Sequence, residues 1–480
     1  MRFPVPYREL RAPVATRRGV TPDRIPLPRP RDRAVGRAVT AALACVTVLV
    51  VAALWVSAGG VAALSADGTG LVTAARLTGL VAADLLLLQV LAMARVPWVE
   101  RAWGQDRLAR IHRLLGFTSC WLMVAHVVLV VVGYAVSTGT GALAQLVDLV
   151  VRYPGMLLAA AGTALLVLVV ALSVRAARRR VRYENWHLLH LYAYLGVGLA
   201  LPHQLWNGAH FVTSPAATAY WWTLWGCAAA ALLAFRVGRP LWLSRRHRLT
   251  VGEVRHEASD VYSVYLSGRR LDRLAARPGQ FLTWRLRTGR GWSRAHPFSL
   301  SEAPRADRLR FTFRAAGDDG ARLAGATPGT AVLIEGPFGT LTEDRRRGER
   351  VLLMAAGIGI TPMRALLEGM RYADRELTLI YRARSADELV LRDEIDGIAA
   401  ERGAQVIYLP GPPPTGRASW LTAELAERYT DHEALTHLVP ELAGRDVFLC
   451  GPPPWMAAAR AALRTAGVPA RQVHDERFGW

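Results

Sequence analysis

Four histidines carry the chemistry open to the first half of this chain. His190 and His203 lie thirteen residues apart on one apolar, helix-length stretch, Tyr183 to Gln204, and His112 and His126 lie fourteen residues apart on another, Ile111 to Val136. On an α-helix such spacings separate two side chains by roughly 20 Å along the axis and return them to broadly the same side. Two helices of this kind offer two matching levels of imidazole, and two facing imidazoles at each level can clamp two stacked hemes by axial ligation. A single histidine on an apolar helix is most often a hydrogen-bonded core residue. Four at matched spacing on two membrane-length helices point instead to paired ligands, because ionisable groups inside a bilayer are expensive and usually functional. His187, one turn before His190, competes for the same role, but the interval from His190 to His203 is the better match to that from His112 to His126.

A second kind of chemistry begins beyond residue 245. In Arg294-Ala-His296-Pro297-Phe298-Ser299, a guanidinium can neutralise a diphosphate and a hydroxyl can hydrogen-bond the edge of a flavin ring. The plain alternative is a strand with a solvent-facing arginine. Gly357-Ile-Gly359-Ile-Thr361-Pro362 sits between an apolar strand, 350–356, and a helix, 363–372. Glycines there let the backbone approach a pyrophosphate, and the helix N-terminus favours the anion. The next strand, 377–381, is followed by Arg382 and Arg384, which suit the 2′-phosphate of NADPH, whereas an NAD site more often presents an acid. NADPH is therefore expected, with NADH as the alternative and solvated surface arginines as the bland one. A last strand, 446–449, ends in Cys450-Gly451-Pro452-Pro453, and the chain closes with Glu476-Arg-Phe478-Gly-Trp480.

The elements that must position these residues follow from composition. The chain is 52% hydrophobic with mean hydropathy +0.19, too apolar for an ordinary soluble enzyme, and the apolar residues crowd into the first 240 positions. Six stretches there, about 35–57, 71–94, 111–136, 154–174, 186–205 and 216–237, are each long enough to cross roughly 30 Å of hydrocarbon. Arginines concentrate in the loops around 95–110 and 175–182, in the N-terminal segment and after residue 236, which places those on the cytoplasmic side. Both histidine-bearing helices then run outward, so His112 and His190 share the inner level and His126 and His203 the outer. Arg76, near the outer end of the second stretch, either pairs with a propionate of the outer heme or snorkels to the headgroups. Trp221, Trp222 and Trp225 are expected to form an interfacial belt.

All 59 basic residues are arginine, giving a net charge of +21. With abundant Ala, Gly, Pro and Leu this is the signature of a GC-rich bacterial genome, and the scatter of the arginines beside membrane segments argues against a nucleic-acid partner. Four isolated cysteines offer no disulfide framework. Residues 1–35, rich in Arg and Pro, are expected to be a disordered cytoplasmic tail and not a cleaved signal. Residues 36–240 form the membrane domain, residues 245–347 alternate as strands of a small antiparallel barrel, and residues 348–480 alternate strands and helices. The expected fold is thus a membrane all-α six-helix heme bundle, a soluble antiparallel β-barrel FAD domain and an α/β nucleotide-binding domain.

The Arg-x-His-Pro-Phe-Ser, Gly-x-Gly-x-Thr-Pro and Cys-Gly-Pro-Pro strings, in that order before a terminal aromatic, resemble the ferredoxin-NADP reductase superfamily. Preceded by six apolar stretches with two histidine pairs, the whole resembles the ferric reductase and NADPH oxidase family of transmembrane flavocytochromes b. That resemblance implies two b-type hemes, His112 pairing with His190 and His126 with His203. It implies FAD on Arg294, His296, Pro297, Phe298 and Ser299. Gly357, Gly359, Thr361 and Pro362 would meet the NADPH, Cys450, with Gly451 and Pro452 behind it, would lie near the hydride path, and Trp480 or Phe478 would cover the flavin. The hydroxyl that usually caps the FAD diphosphate is missing from Gly317-Asp-Asp-Gly320-Ala321, which leaves that task to backbone amides. The implied activity carries electrons from cytoplasmic NADPH across the bacterial plasma membrane to ferric iron or dioxygen, with both termini inside. The alternatives are a membrane-anchored electron supplier to a partner redox protein and a heme-free tethered flavin reductase.

Overall fold

The computed structural model describes residues 30–66, 69–174, 183–208, 214–287 and 294–476. The expected tail up to residue 29, the arginine loop 175–182, and Phe478 and Trp480 lie outside them. The chain forms two compact units, one of residues 34–103 and 107–237, the other chiefly of residues 238–480.

The first unit is helical. Its elements are α1 (Pro30–Ser57), α2 (Gly60–Leu64), α3 (Gly70–Met93), α4 (Pro97–Trp103), α5 (Gln105–Thr138), α6 (Ala142–Arg152), α7 (Met156–Ser173), α8 (Tyr183–Asn207) and α9 (Pro215–Ala231). Five described helices are long and apolar enough to cross a membrane: α1, α3, α5, α7 and the run from Pro215 to His247. The expected sixth, α8, is a helix of 25 residues, long enough to span, but Glu184, Asn185, the histidines, Gln204 and Asn207 keep it out of that class. Five of six spans therefore stand on composition, and the exception is the helix that carries His190 and His203. Large apolar side chains such as Trp121, Leu143 and Leu157 are at least 70% exposed, a surface suited to lipid. Trp221 departs from the expected belt: it is buried in a core with Val51, Trp55, Leu80 and Leu224, while Trp222 faces outward.

The helix α8 is held by close backbone approach to α7. A Cβ on Gly162 would lie 2.6 Å from the Gly196 carbonyl oxygen, and one on Gly196 3.0 Å from that of Gly162. Small residues at such a crossing are how helices pack where no hydrophobic drive separates lipid from protein.

The helical unit closes on a π-helical segment, Leu232–Gly238, and the second unit opens on α10 (Arg239–His247), then six strands: β1 (Thr250–Ala258), β2 (Val261–Ser267), β3 (Phe281–Leu286), β4 (His296–Ser299), β5 (Arg308–Arg314) and β6 (Val332–Phe338), with α11 (Gly317–Ala324) after β5. They pair antiparallel as two three-stranded sheets, β1-β2-β5 and β4-β3-β6. Isolated bridges Thr250–Ala331 and Leu300–Phe311 join the sheets around a core that includes Trp284, Phe311 and Phe313.

Five parallel strands follow, β7 (Val351–Ala356), β8 (Leu377–Ala383), β9 (Gln405–Pro410), β10 (Asp446–Cys450) and β11 (Val473–Asp475), with helices α12 (Ile360–Gly369), α13 (Arg392–Arg402), α14 (Ala423–Arg428), α15 (Asp431–Leu438) and α16 (Pro453–Thr465). Every residue of β7, β8 and β10 is buried, as a parallel sheet covered on both faces requires. The strand order β11-β10-β7-β8-β9 reverses direction between β7 and β10. That reversal is the topological switch point, where open α/β sheets bind their ligands.

Within this unit an ionic knot ties β5 to α12 and α13. Arg310, 1% exposed, donates to Glu394 at 2.8 Å, and Arg364 donates to the other Glu394 oxygen at 3.0 Å. Burial alone would raise the Glu394 carboxyl, but the two guanidinium groups hold it below the usual carboxylate range. A depressed folded-state pKa contributes stability above the unfolded value, and that contribution is lost as pH falls through the folded value. Glu394→Gln should therefore cost about 2 kcal/mol at pH 7, a fall of about 4–8 °C in the melting of this unit. The gap between variant and wild type should close below about pH 4; thermal unfolding across pH, followed by release of flavin fluorescence, checks it.

Candidate functional site

In the helical unit the described structure brings His112 and His190 together, with ring centroids 5.8 Å apart and planes at 70°. A metal held between two imidazoles needs ring centres about 6 Å apart. His126 and His203 are near enough to interact electrostatically. His187, one turn before on α8, is exposed, while His190 is half-buried.

What decides the chemistry of these rings is the fate of their Nδ1 atoms. His126 Nδ1 lies 2.7 Å from the Ala75 carbonyl oxygen, and His112 Nδ1 lies a longer 3.4 Å from that of Gln89. A carbonyl only accepts, so each Nδ1 carries the proton and each Nε2 keeps a free lone pair. His190 reaches the same state by another route. Its Nδ1 lies 3.3 Å from Ser173 Oγ, whose single proton goes to the Val169 carbonyl at 2.7 Å; the imidazole must then donate. Anchoring one nitrogen on a carbonyl or hydroxyl is the outer-shell pattern of metal-binding histidine, and these residues fit heme ligation. His203 Nδ1 is buried without a partner, the Ala200 carbonyl being its nearby backbone acceptor. Pro202, just before it, removes one helical hydrogen bond. Arg76 is exposed on α3, next to the Ala75 that anchors His126.

At the switch point of the parallel sheet, the turn after β7 and the end of β10 touch. A Cβ on Gly359 would lie 2.3 Å from the Cys450 carbonyl oxygen, so only glycine fits. Gly357 adopts φ +53°. Thr361 and Pro362 are buried in the first turn of α12, Thr361 Oγ1 donating to the Ile358 carbonyl at 3.0 Å. Gly451 is buried and Pro452 exposed. Cys450 is fully buried, and burial first, then Glu476 and Asp475, push its thiol well above the ordinary range; it stays neutral. Arg382 is not aimed at a 2′-phosphate: its guanidinium is buried and donates to the Leu409 carbonyl at 3.2 Å and that of Gly411 at 2.7 Å. Arg384 is exposed.

On the antiparallel sheets, Ser299 is 3% exposed, and its Oγ and His296 Nε2 are buried polar atoms without partners. Orphaned buried polar atoms cost free energy unless a partner arrives, and a flavin ring would supply one. Phe298 packs inward on Phe311 and Phe313, with centroids 5.2 and 5.3 Å away, while Pro297 is exposed. Arg294 donates to Asp319 at 2.6 Å.

Two family profiles match this chain. Residues 78–201 match the ferric reductase like transmembrane component and residues 353–461 the oxidoreductase NAD-binding domain. The chain joins a ferric reductase-like transmembrane component to an oxidoreductase NAD-binding domain. The helices long and apolar enough to cross a membrane thus precede a domain of the oxidoreductase NAD-binding kind. Among similar proteins, the ferredoxin reductase component of 3-ketosteroid-9-alpha-monooxygenase of Mycolicibacterium smegmatis is 33% identical over 240 residues, covering 48% of this chain and 65% of that protein. A flavohemoprotein of Bordetella pertussis is 28% identical over 239 residues, 46% of this chain and 58% of that one. The chain thus spans less than two thirds of either relative. Of solved structures, the FAD/NAD-binding domain of a Vibrio cholerae nitric oxide dioxygenase is 24% identical with TM-score 0.40, covering 49% of this chain and all of that one.

Several positioning residues of the ferric reductase-like unit were missed in the sequence. Ser173 and Trp186 flank His190, the tryptophan ring 5.1 Å away. Gly79 leaves room for His126, whose Nδ1 would lie 2.6 Å from a Cβ there. In each case the signal was only a small or aromatic residue on the correct helical face. Replacing Gly359 by alanine should weaken NAD(P)H binding tenfold or more, since the Cβ must push the β7 turn off the Cys450 backbone. Titration of the oxidised protein with NADP⁺ measures it, and unchanged affinity would remove Gly359 from the site.

Proposed function

We propose that this protein passes electrons from cytoplasmic NAD(P)H through FAD and two b-type hemes to an acceptor on the far side of the membrane. The observation that carries the proposal is the pairing of His112 with His190, whose rings lie 5.8 Å apart and whose Nδ1 atoms each lie beside an oxygen acceptor, so that Nε2 is the nitrogen left for a metal. Flavin, when bound, accepts a hydride and releases electrons singly, which suits it to feed one-electron hemes.

The chain's own residues then have separable tasks. His112 with His190, and His126 with His203, would hold the two hemes, in preference to the exposed His187. The turn 357–359 and the first turn of α12 hold the dinucleotide pyrophosphate against backbone amides. Ser299 Oγ would donate to the flavin edge, Arg294 would meet the diphosphate, and the neutral Cys450 would pack beside the nicotinamide. Phe478 or Trp480 would be the residue to cover the flavin in the absence of nucleotide. With Arg382 engaged on backbone carbonyls, Arg384 is the residue for the 2′-phosphate of NADPH. The six-span bundle, the closed barrel and the inner placement of both termini belong to this proposal.

The acceptor is ferric iron or dioxygen. A second reading has one observation in its favour: the Mycolicibacterium relative is named as the reductase component of a monooxygenase, which fits delivery of electrons to a partner redox protein.

His126→Ala and His203→Ala should each remove about half of the heme absorbance while NADPH-driven flavin reduction keeps its wild-type rate. Equal loss of both would contradict the assignment. Arg384→Ala should raise the KM for NADPH about tenfold and leave that for NADH unchanged, as loss of one charge-assisted phosphate contact implies.

A further inference from the structure

One buried titratable group is not used by this scheme. Asp84, on α3, is 0% exposed and lies against the core of Val51, Trp55, Trp221 and Leu224. It joins three helices: Tyr220 of α9 donates to Oδ1 at 2.6 Å, and Thr47 Oγ1 of α1 lies 3.2 Å from Oδ2. No cation touches it among the described residues.

Each hydroxyl has a second acceptor. Thr47 Oγ1 is also 2.8 Å from the Ala44 carbonyl, and Tyr220 Oη is 3.2 Å from the Thr47 carbonyl. When Asp84 is ionised, both hydroxyls donate to it. When Oδ2 carries a proton, it donates to Thr47 Oγ1, whose own proton turns to Ala44. Both protonation states are satisfied without moving a heavy atom, which a merely structural hydrogen bond does not need.

The group also has a polar approach. Arg37, Thr40 and Thr47 share one face of α1, three and seven residues apart. Arg37 Nε donates to the Ala102 carbonyl at 2.6 Å, and Thr40 Oγ1 accepts from Trp103 at 2.7 Å. Along α3, Asp84 falls between the two histidine levels, nine residues after Ala75 and five before Gln89, roughly 14 and 8 Å along the axis. It faces the opposite side of the helix from Ala75, about one helix diameter, roughly 10 Å, from the histidines. At that separation in a low-dielectric interior, charges still interact strongly. Arg76 on α3 and Cys45 and Cys227 on the neighbouring helices are exposed; among the described residues Tyr220 is the titratable side chain bonded to the carboxyl, and Arg37 is the charged group further along the same face of α1.

We infer that Asp84 is a proton-exchange site that takes up one proton through the Arg37–Thr40–Thr47 face of α1 as an electron enters the helical unit. An O–H bond forms at Oδ2, the proton comes from water, and Asp84 is neither oxidised nor reduced; the electron is the one supplied from NAD(P)H. The inference rests on the heme assignment above.

The test is a spectroelectrochemical titration of the full-length protein in lipid nanodiscs between pH 5 and 9. The wild-type heme midpoint potential should fall as pH rises, and Asp84→Asn, which keeps shape and hydrogen bonds, should flatten that dependence. Tyr220→Phe should keep the slope but move it to higher pH, because the ionised carboxylate loses its short hydrogen bond. Equal pH dependence in wild type and both heme-loaded variants overturns the inference alone. Absence of heme bands in wild type overturns the heme assignment, and this inference with it.

Discussion

A buried imidazole has two nitrogens to satisfy, and for three of its four paired histidines the helical unit offers a partner to one of them. His126 spends Nδ1 on the Ala75 carbonyl and His190 spends it on a serine already committed to its own helix. Among the described residues the other nitrogen of each ring is given no protein partner there, which suits it to a metal. Much of the unit serves this arrangement. Gly79 admits the His126 ring to α3, and the Gly162–Gly196 contact draws α8 onto α7. The small residues are the means by which four polar rings are brought into an apolar bundle.

The soluble unit solves a different problem with the same economy of side chains. The dinucleotide site proposed for it is almost wholly backbone, because a pyrophosphate is best met by amide groups at a helix start. The reversal of strand order between β7 and β10 opens the crevice, and Gly359 against the Cys450 carbonyl closes its floor. The ionic knot of Arg310, Glu394 and Arg364 ties the antiparallel sheets to the nucleotide-binding sheet. Hydride transfer is sensitive to displacements of an ångström, so a buried charged clamp is worth its desolvation there.

Much of this was legible in the sequence because it depends on spacing. The thirteen- and fourteen-residue histidine intervals carry the helical period, and the glycine turn lies between a buried strand and a helix as its chemistry demands. The rest depends on direction, which a linear pattern does not carry. Arg382 and Arg384 are two residues apart, yet Arg382 is the penultimate residue of β8 and is held by the carbonyls at the end of β9, while Arg384 lies past the end of the strand and is exposed. Trp221 and Trp222 are neighbours, but one turns into the core and the other outward. Hydropathy alone understated α8, since the residues that give that helix its chemistry are polar.

The central claim is that electrons entering at the nicotinamide site reach paired histidines through bound hemes. The most direct test is anaerobic addition of NADPH to the purified, FAD-supplemented protein while the visible heme bands are followed. The account predicts two bis-histidine hemes per chain that become reduced on mixing. A protein that binds FAD and oxidises NADPH but shows no heme bands, or whose heme bands stay oxidised under NADPH, would contradict it.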